Sequence, residues 1–441
     1  MDPVLIGALS AALVFVLILI GIHVGVALAL TSVIGIYLIS GKWSVAFRLL
    51  ESTSYNALND YVFAVIPLFI LMGAFATVSG VMRELFESMG AALQKVRGGL
   101  GIATVAGNAV FSAITGVTVA SAVVFSQISI PEMKRLGYDK KFALGIVASS
   151  ALLGMLIPPS ILMVVYGVIT EESIGKLFAA GMGPGLVVSV ALSLAIVIMI
   201  RLNPALCGIE GTVAAPSGPI LSRRQLITRP WAVYALVLLV LGGIYAGWFT
   251  PTEAGGIGAL GAFVLVILKR KFGFKSTYDL LLQTGSATAT IFFLLLTAQM
   301  YSRMLSLSGL PEYLTRLMIG AEVPAIAIVL FFVVILLILG TILDSTSIML
   351  LTMPIMVPVV LKLGFDNLWF AMVAILAIEL GQLTPPCGMV IYAMKAAMPN
   401  ETTIDEIFSA SMPFFVVLLI SLAVIIAFPP ITLWLPKVMF N

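Results

Sequence analysis

Residues 136–166 read LGYDKKFALGIVASSALLGMLIPPSILMVVY, and residues 363–393 read LGFDNLWFAMVAILAIELGQLTPPCGMVIYA. Leu136, Gly137, Asp139, Gly154, Pro158 and Pro159 recur as Leu363, Gly364, Asp366, Gly381, Pro385 and Pro386, every pair 227 positions apart. A register held without a gap marks a duplicated unit. Each copy is an apolar run interrupted near its middle by Pro-Pro, which removes two backbone donors and collides with the preceding turn. Each copy is therefore expected to be a broken helix. In hydrocarbon the carbonyls freed by a break find no water, so the break persists only where protein or a wet cavity covers it. A lone proline kink is usually structural, but two breaks at matching positions of two halves point to a transporter's binding site near the membrane midplane.

Composition sets the surroundings. Of 441 residues, 61% are hydrophobic and 10% charged, whereas a soluble domain carries roughly a quarter charged residues. The chain reads as a polytopic, all-α membrane protein. The net charge of +3 comes without a basic cluster interleaved with aromatics, so nucleic acid is not indicated. Cys207 and Cys387 are the only cysteines and His23 the only histidine, which supplies neither a disulfide framework nor a metal-ligand spacing. His23, at a Gly-rich break, is expected to serve packing or an interfacial hydrogen bond. The N-terminal MDPVLIGALSAALVFVLILIG lacks a basic n-region and is read as a retained first membrane helix.

Crossings are expected near 4–21, 24–40, 60–79, 142–170 and 174–200, then 232–248, 251–269, 285–302, 368–395 and 406–428. Between the third and fourth crossing of each half lies an amphipathic stretch with helical spacing, 79–99 and 308–321, read as interfacial arms. Ser79, Gly80, Leu85 and Met89 of the first match Ser308, Gly309, Leu314 and Met318 at an offset of 229. Each arm precedes an apolar run with a polar centre, 101–131 and 324–358, which could cross once or fold back as a re-entrant hairpin. Counting charges decides. With two hairpins each half has five crossings and the second half is inverted, leaving 16 Lys and Arg on one face, among them Lys134, Lys140, Arg229 and Lys269, and 7 on the other. That split meets the positive-inside rule; with two simple crossings Lys269–Lys275 and Arg223–Arg229 would lie outside. The expected layout is a first inverted repeat over 1–201, a cytoplasmic linker over 202–230 and a second repeat over 231–441. Both termini face outward, and the hairpins enter from opposite sides.

Hydroxyls, amides and freed carbonyls collect at the two hairpin centres and the two breaks. The first centre offers Asn108, Ser112, Thr115, Gly116, Thr118 and Ser121; the second offers Gly340, Thr341, Asp344, Ser345, Thr346 and Ser347. The breaks add Ser149, Ser150, Pro158 and Ser160, then Glu379, Gln382, Thr384, Pro385 and Cys387. Oxygens of this kind suit a small cation, while half-helix N-termini and a donor such as Asn108 suit a carboxylate. Singly, each hydroxyl is ordinary glue between membrane helices. Asp344 and Glu379 stand apart, because an ionisable group deep in an apolar run is a functional hypothesis by default; Glu379 could instead pair with a scaffold lysine. No Walker A, Rossmann glycine pattern, His-Glu-x-x-His or Ser/His/Asp set appears, so the chain is not expected to hydrolyse ATP or act as an enzyme.

GMLIPPS (154–160), FTPTEAGG (249–256), LDSTSIMLLTMPIMVP (343–358) and GQLTPPCG (381–388) resemble the large membrane subunit of tripartite ATP-independent periplasmic (TRAP) transporters, and the likeness spans essentially the whole chain. The resemblance implies an elevator-type secondary transporter of the bacterial inner membrane, driven by sodium as coupling ion and needing no other cofactor. Its partners would be a small four-helix membrane subunit, separate because no such block is fused to this chain, and a periplasmic substrate-binding protein. Its usual substrates are organic acids such as C4-dicarboxylates, sialic acid and 2-oxo acids. Hairpins and broken helices would move, and the remaining helices with the arms would form the scaffold. Sodium would lie where each tip meets its break, at Thr115, Gly116 and Pro158, and at Gly340, Thr341, Asp344, Ser345, Thr384 and Pro385. Substrate would lie between, near Asn108, Ser112, Thr118, Ser150, Ser160, Thr346 and Gln382. A divalent-anion sodium symporter shares hairpins but works alone, and a channel would show uncoupled flux; the residues by themselves leave both open.

Overall fold

The computed structural model describes residues 2–207, 222–320 and 323–440. Residues 208–221 of the expected linker, and the last residue of the second arm, fall outside them. All regular structure among the described residues is helical, with seven helices long and apolar enough to cross a membrane: Tyr61–Ser79, Lys140–Thr170, Ile174–Leu202, Pro251–Leu268, Phe274–Ser308, Ser345–Lys362 and Ile404–Ala427. Pro3–Leu19, Val24–Ser40 and Trp231–Tyr245 are shorter apolar helices. His23 serves locally, its Nδ1 accepting from the Gly25 N–H at 3.3 Å to cap Val24–Ser40.

The duplicated residues do the same work in both copies. At Leu136-Gly137 and Leu363-Gly364 a helix ends with glycine in the left-handed region, φ 82° and 85°, where side chains carry a penalty that glycine escapes. In each copy the next N–H reaches back five residues, Tyr138 to Met133 and Phe365 to Val360, closing a Schellman turn. Asp139 and Asp366 then cap the following helix, accepting from the N–H of Phe142 at 2.9 Å and of Leu368 at 2.8 Å. The two arms also begin alike. Ser79 and Ser308 donate to carbonyls three residues back, both at 2.7 Å, and the following Gly80 and Gly309 have φ 79° and 69°.

Both broken helices are present. The first runs Lys140–Ala151, one turn Leu153–Leu156, then Ile161–Thr170; the second runs Asn367–Gly381, then Met389–Ala397. Pro158-Pro159 and Pro385-Pro386 are both joined by cis peptides. The two broken helices are antiparallel, each beginning where the other ends. Asn367, at the start of the second, accepts from the Tyr166 hydroxyl at 2.6 Å and donates to Glu172 at 3.0 Å, at the end of the first. Lys140, at the start of the first, pairs with Glu406 at 2.7 Å, just beyond the end of the second.

Four elements differ from the sequence reading. Trp43–Asn59 is a helix that hydropathy passes over because it is too polar to cross. Phe274–Ser308 is continuous, starting well before residue 285, and Pro430–Phe440 adds a terminal helix. The first arm is shorter than expected, Val81–Ala92, because turns take up the basic stretch after Leu93.

Packing separates two blocks. One holds Pro3–Leu19, Val24–Ser40, Val65–Ser79, Pro251–Leu268 and Phe274–Ser308; the other holds the hairpins and broken helices. Ile174–Leu202 and Ile404–Ala427 side with the second block, a correction to grouping them with a scaffold. The reason is close contact: a Cβ on Gly145 would lie 2.8 Å from the Phe414 ring, and the Trp369 indole donates to the Ile425 carbonyl at 3.2 Å.

Candidate functional site

Each hairpin centre is a true interruption. Gly99–Thr115 stops at Gly116, φ 63°, and Thr118–Arg135 returns, the two lying antiparallel with Phe111 against Phe125 at 5.8 Å. Ala325–Gly340 stops at Thr341, and Ser345–Lys362 begins behind an Asp344 cap. Each tip is then fastened to the break of its own repeat. The Ile161 N–H donates to the Gly116 carbonyl at 3.3 Å, and the Cys387 N–H donates to the Thr341 carbonyl at 2.9 Å.

The duplicated glycines permit this docking. A Cβ on Gly154 would fall 2.8 Å from the Thr118 backbone, and one on Gly381 would fall 2.6 Å from Gly340 Cα. Backbone stands on the other side of both contacts, so no rotamer change could relieve them. Four helix N-termini, at Thr118, Ile161, Ser345 and Met389, converge here with the C-termini of the preceding halves. Donors for an anion and carbonyls for a cation are thereby offered without any Lys or Arg.

Two buried polar groups result. At the first break the Asn108 amide donates to Ser150 Oγ at 2.7 Å, and Asn108 Oδ1 and Ser121 Oγ are buried without a partner. The second group crosses between repeats. Glu379 is fully buried, accepting from the Thr118 hydroxyl at 2.5 Å and from the Ser345 hydroxyl at 2.6 Å; the Gln382 amide also donates to Ser345. Glu379 therefore has hydroxyl partners from both hairpins in place of the scaffold lysine considered from sequence. Its buried position within an apolar run was the only signal available.

The remaining candidates are distributed around these groups. Ser112, Thr115 and Ser149 return their hydroxyl protons to carbonyls four residues back, at 2.6, 3.1 and 2.7 Å, keeping oxygen lone pairs free. Ser160 caps Ile161–Thr170 and donates to the Met155 carbonyl at 2.6 Å. Thr341 and Thr384 hydroxyls likewise go to Ile338 and Gly381, at 2.8 and 2.7 Å. The Asp344 carboxylate accepts from the Ser347 N–H at 2.9 Å and from its hydroxyl. Thr346 is half-buried. The breaks differ in exposure: Pro158 and Pro159 are buried, whereas Pro385, Pro386 and Cys387 are exposed.

This architecture is that of an all-helical, polytopic membrane protein. It resembles the Alcanivorax borkumensis YdaH transporter, with a TM-score of 0.60 and 16% identity over 86% of this chain and 88% of that one. It also resembles Neisseria gonorrhoeae MtrF, with a TM-score of 0.60 and 13% identity over 86% of this chain and 83% of that one. More specifically, residues 11–431 match the family described as tripartite ATP-independent periplasmic transporter, DctM component, and the chain belongs to that family. It is a transporter permease, not an enzyme. Similar proteins include the C4-dicarboxylate TRAP transporter large permease protein DctM of Pseudomonas aeruginosa, 34% identical over 89% of each chain. The sialic acid TRAP transporter large permease protein SiaM of Vibrio cholerae is 28% identical over 87% of this chain and 88% of its own. The isethionate TRAP transporter permease protein DctMQ of Oleidesulfovibrio alaskensis is 28% identical over 98% of this chain, which spans 66% of its length.

Proposed function

We propose that this chain is the large permease subunit through which an organic acid anion enters the cell, coupled to sodium and delivered by a periplasmic binding protein. C4-dicarboxylates and sialic acid, named for relatives at 34% and 28% identity, are the substrate classes to try first. A small membrane subunit completes the tripartite assembly; DctMQ, of which this chain covers 66%, is longer by enough to contain one. The observation that carries the reading is that both hairpin tips meet the breaks of their own repeats around two buried polar groups, Asn108–Ser150 and Glu379–Thr118–Ser345–Gln382, that include no Lys or Arg. An anion held there depends on helix N-termini and bound cations, so sodium binding assists both affinity and energetics.

The antiparallel broken helices and the 227-residue register support inverted repeats with hairpins re-entering from opposite faces. Arg229–Glu87, Lys269–Glu84, Lys134–Glu401 and Lys140–Glu406 all lie at the end of the molecule where positive charge is concentrated, which fits a cytoplasmic face and outward termini. The limited contact between the two blocks supports an elevator movement of one past the other. That contact includes Gly73 facing Thr115, where a Cβ would come within 2.9 Å of the Thr115 Cα, and the Tyr245 hydroxyl donating to the Phe178 carbonyl at 3.2 Å.

The test is uptake into proteoliposomes containing both membrane subunits, with the binding protein outside and a labelled C4-dicarboxylate or sialic acid as probe. Accumulation against a gradient is expected only with sodium outside and binding protein present. Undiminished uptake in choline, or uptake without the binding protein, contradicts the reading.

A further inference from the structure

We propose that Glu379 is a positioning residue that ties the two hairpin tips together, so that a cation seated at one tip sets the geometry of the other; this rests on the sodium-coupled reading above. Thr118 and Ser345 are 227 positions apart, the same spacing as the duplicated motif. They are thus one position seen twice, the first residue of each returning hairpin helix. Both hydroxyls donate to one carboxylate, Thr118 to Oε2 at 2.5 Å and Ser345 to Oε1 at 2.6 Å. The residue 227 positions before Glu379 is Leu152, so the carboxylate has no counterpart in the first repeat. A single asymmetric side chain stands where two equivalent hydroxyls meet.

The rest of the linkage is backbone. Thr118 rests on Gly154 and adjoins the Gly116 carbonyl that holds Ile161. Ser345 follows the tip whose Thr341 carbonyl holds Cys387, and Gln382 steadies Ser345 from the second break. A displacement of the first tip moves Thr118 against Glu379, and Glu379 shares the helix Asn367–Gly381 with Gly381, itself in backbone contact with Gly340. Glu379 touches no other ionisable side chain in this network, and removing it leaves two buried hydroxyls without acceptors. Coupling between sites carried by such a two-sided contact is a free energy that either ligand can read.

The test is equilibrium binding of radioactive sodium to the purified membrane complex, for the wild type and for Thr118→Val, Glu379→Gln and Glu379→Ala, with a thermal melt confirming each fold. Wild type is expected to bind cooperatively. Thr118→Val, nearly isosteric, is expected to weaken binding about tenfold and reduce the Hill coefficient to about 1. Glu379→Gln, which keeps one carbonyl acceptor, is expected to fall between, and adding Glu379→Ala to Thr118→Val to cost little more. A role confined to stability would lower the melt and leave the Hill coefficient unchanged. A native-fold Thr118→Val with wild-type cooperativity overturns the brace alone, as does non-cooperative binding by the wild type. Absence of sodium binding to the wild type overturns the sodium reading and the transmission role together.

Discussion

At Asp344 the helix cap and the negative charge can be separated by substitution. Its carboxylate caps Ser345–Lys362 through the Ser347 N–H, a contact worth about 1 kcal/mol that Asn retains and Ala loses. Asp344→Ala is expected to insert into the membrane but lose uptake, with a lower melting temperature. Asp344→Asn should melt like the wild type and still need several-fold more sodium for half-maximal uptake; wild-type sodium dependence in Asp344→Asn would reduce the residue to a cap. Gly381→Ala addresses a different constraint, backbone against backbone at 2.6 Å, where overpacking costs about 1–3 kcal/mol. It should cut uptake at least tenfold, and an active, unshifted variant would show that the tip does not need this seat. Residues at the hairpin tips were legible because polar groups interrupt apolar runs. The partners of Glu379 were not legible, because Thr118 lies 261 residues away and Ser345 lies 34 away, beyond any helical periodicity.

The two breaks have the same sequence origin and different surroundings. Replacing Pro158-Pro159 or Pro385-Pro386 by Ala-Ala restores the missing donors and removes the ring clash, so the helix can close across the gap. Sodium affinity should fall in either variant, and unchanged affinity would mean that the unwound carbonyls are not ligands. Cys387 sits in the exposed break, so in a Cys207→Ser background it should react with a maleimide in detergent, whereas a cysteine placed at Ser160, in the buried break, should not; equal labelling would remove the asymmetry. The repeated Leu-Gly-x-Asp was legible as register, and its Schellman turn and cap follow from elementary rules. Trp43–Asn59 was missed for the opposite reason: Arg48, Glu51 and several polar residues break the hydropathy, yet Trp43, Phe47, Tyr55 and Leu58 are exposed along it, as an interfacial helix requires.

Across the whole molecule, each broken helix begins where the other ends, and charge pairs gather at one end. The duplication was readable from the constant offset. The allegiance of Ile174–Leu202 and Ile404–Ala427 was not, because apolarity marks a helix as crossing without saying which neighbour it touches. One hydrogen bond between blocks, Tyr245 to the Phe178 carbonyl, is worth about 1 kcal/mol, so Tyr245→Phe should change the uptake rate several-fold without altering sodium affinity; a changed affinity with a constant rate would place Tyr245 in the site instead. The most direct measurement is a density map of the complete membrane complex in a lipid disc, with sodium and a bound organic acid. Solute is expected between Asn108–Ser150 and Ser345–Gln382, with cations at the two tips. Solute in the separate groove lined by Asp60, Glu171, Glu172 and Thr250, or unbroken rods in place of the two hairpins, would contradict this arrangement.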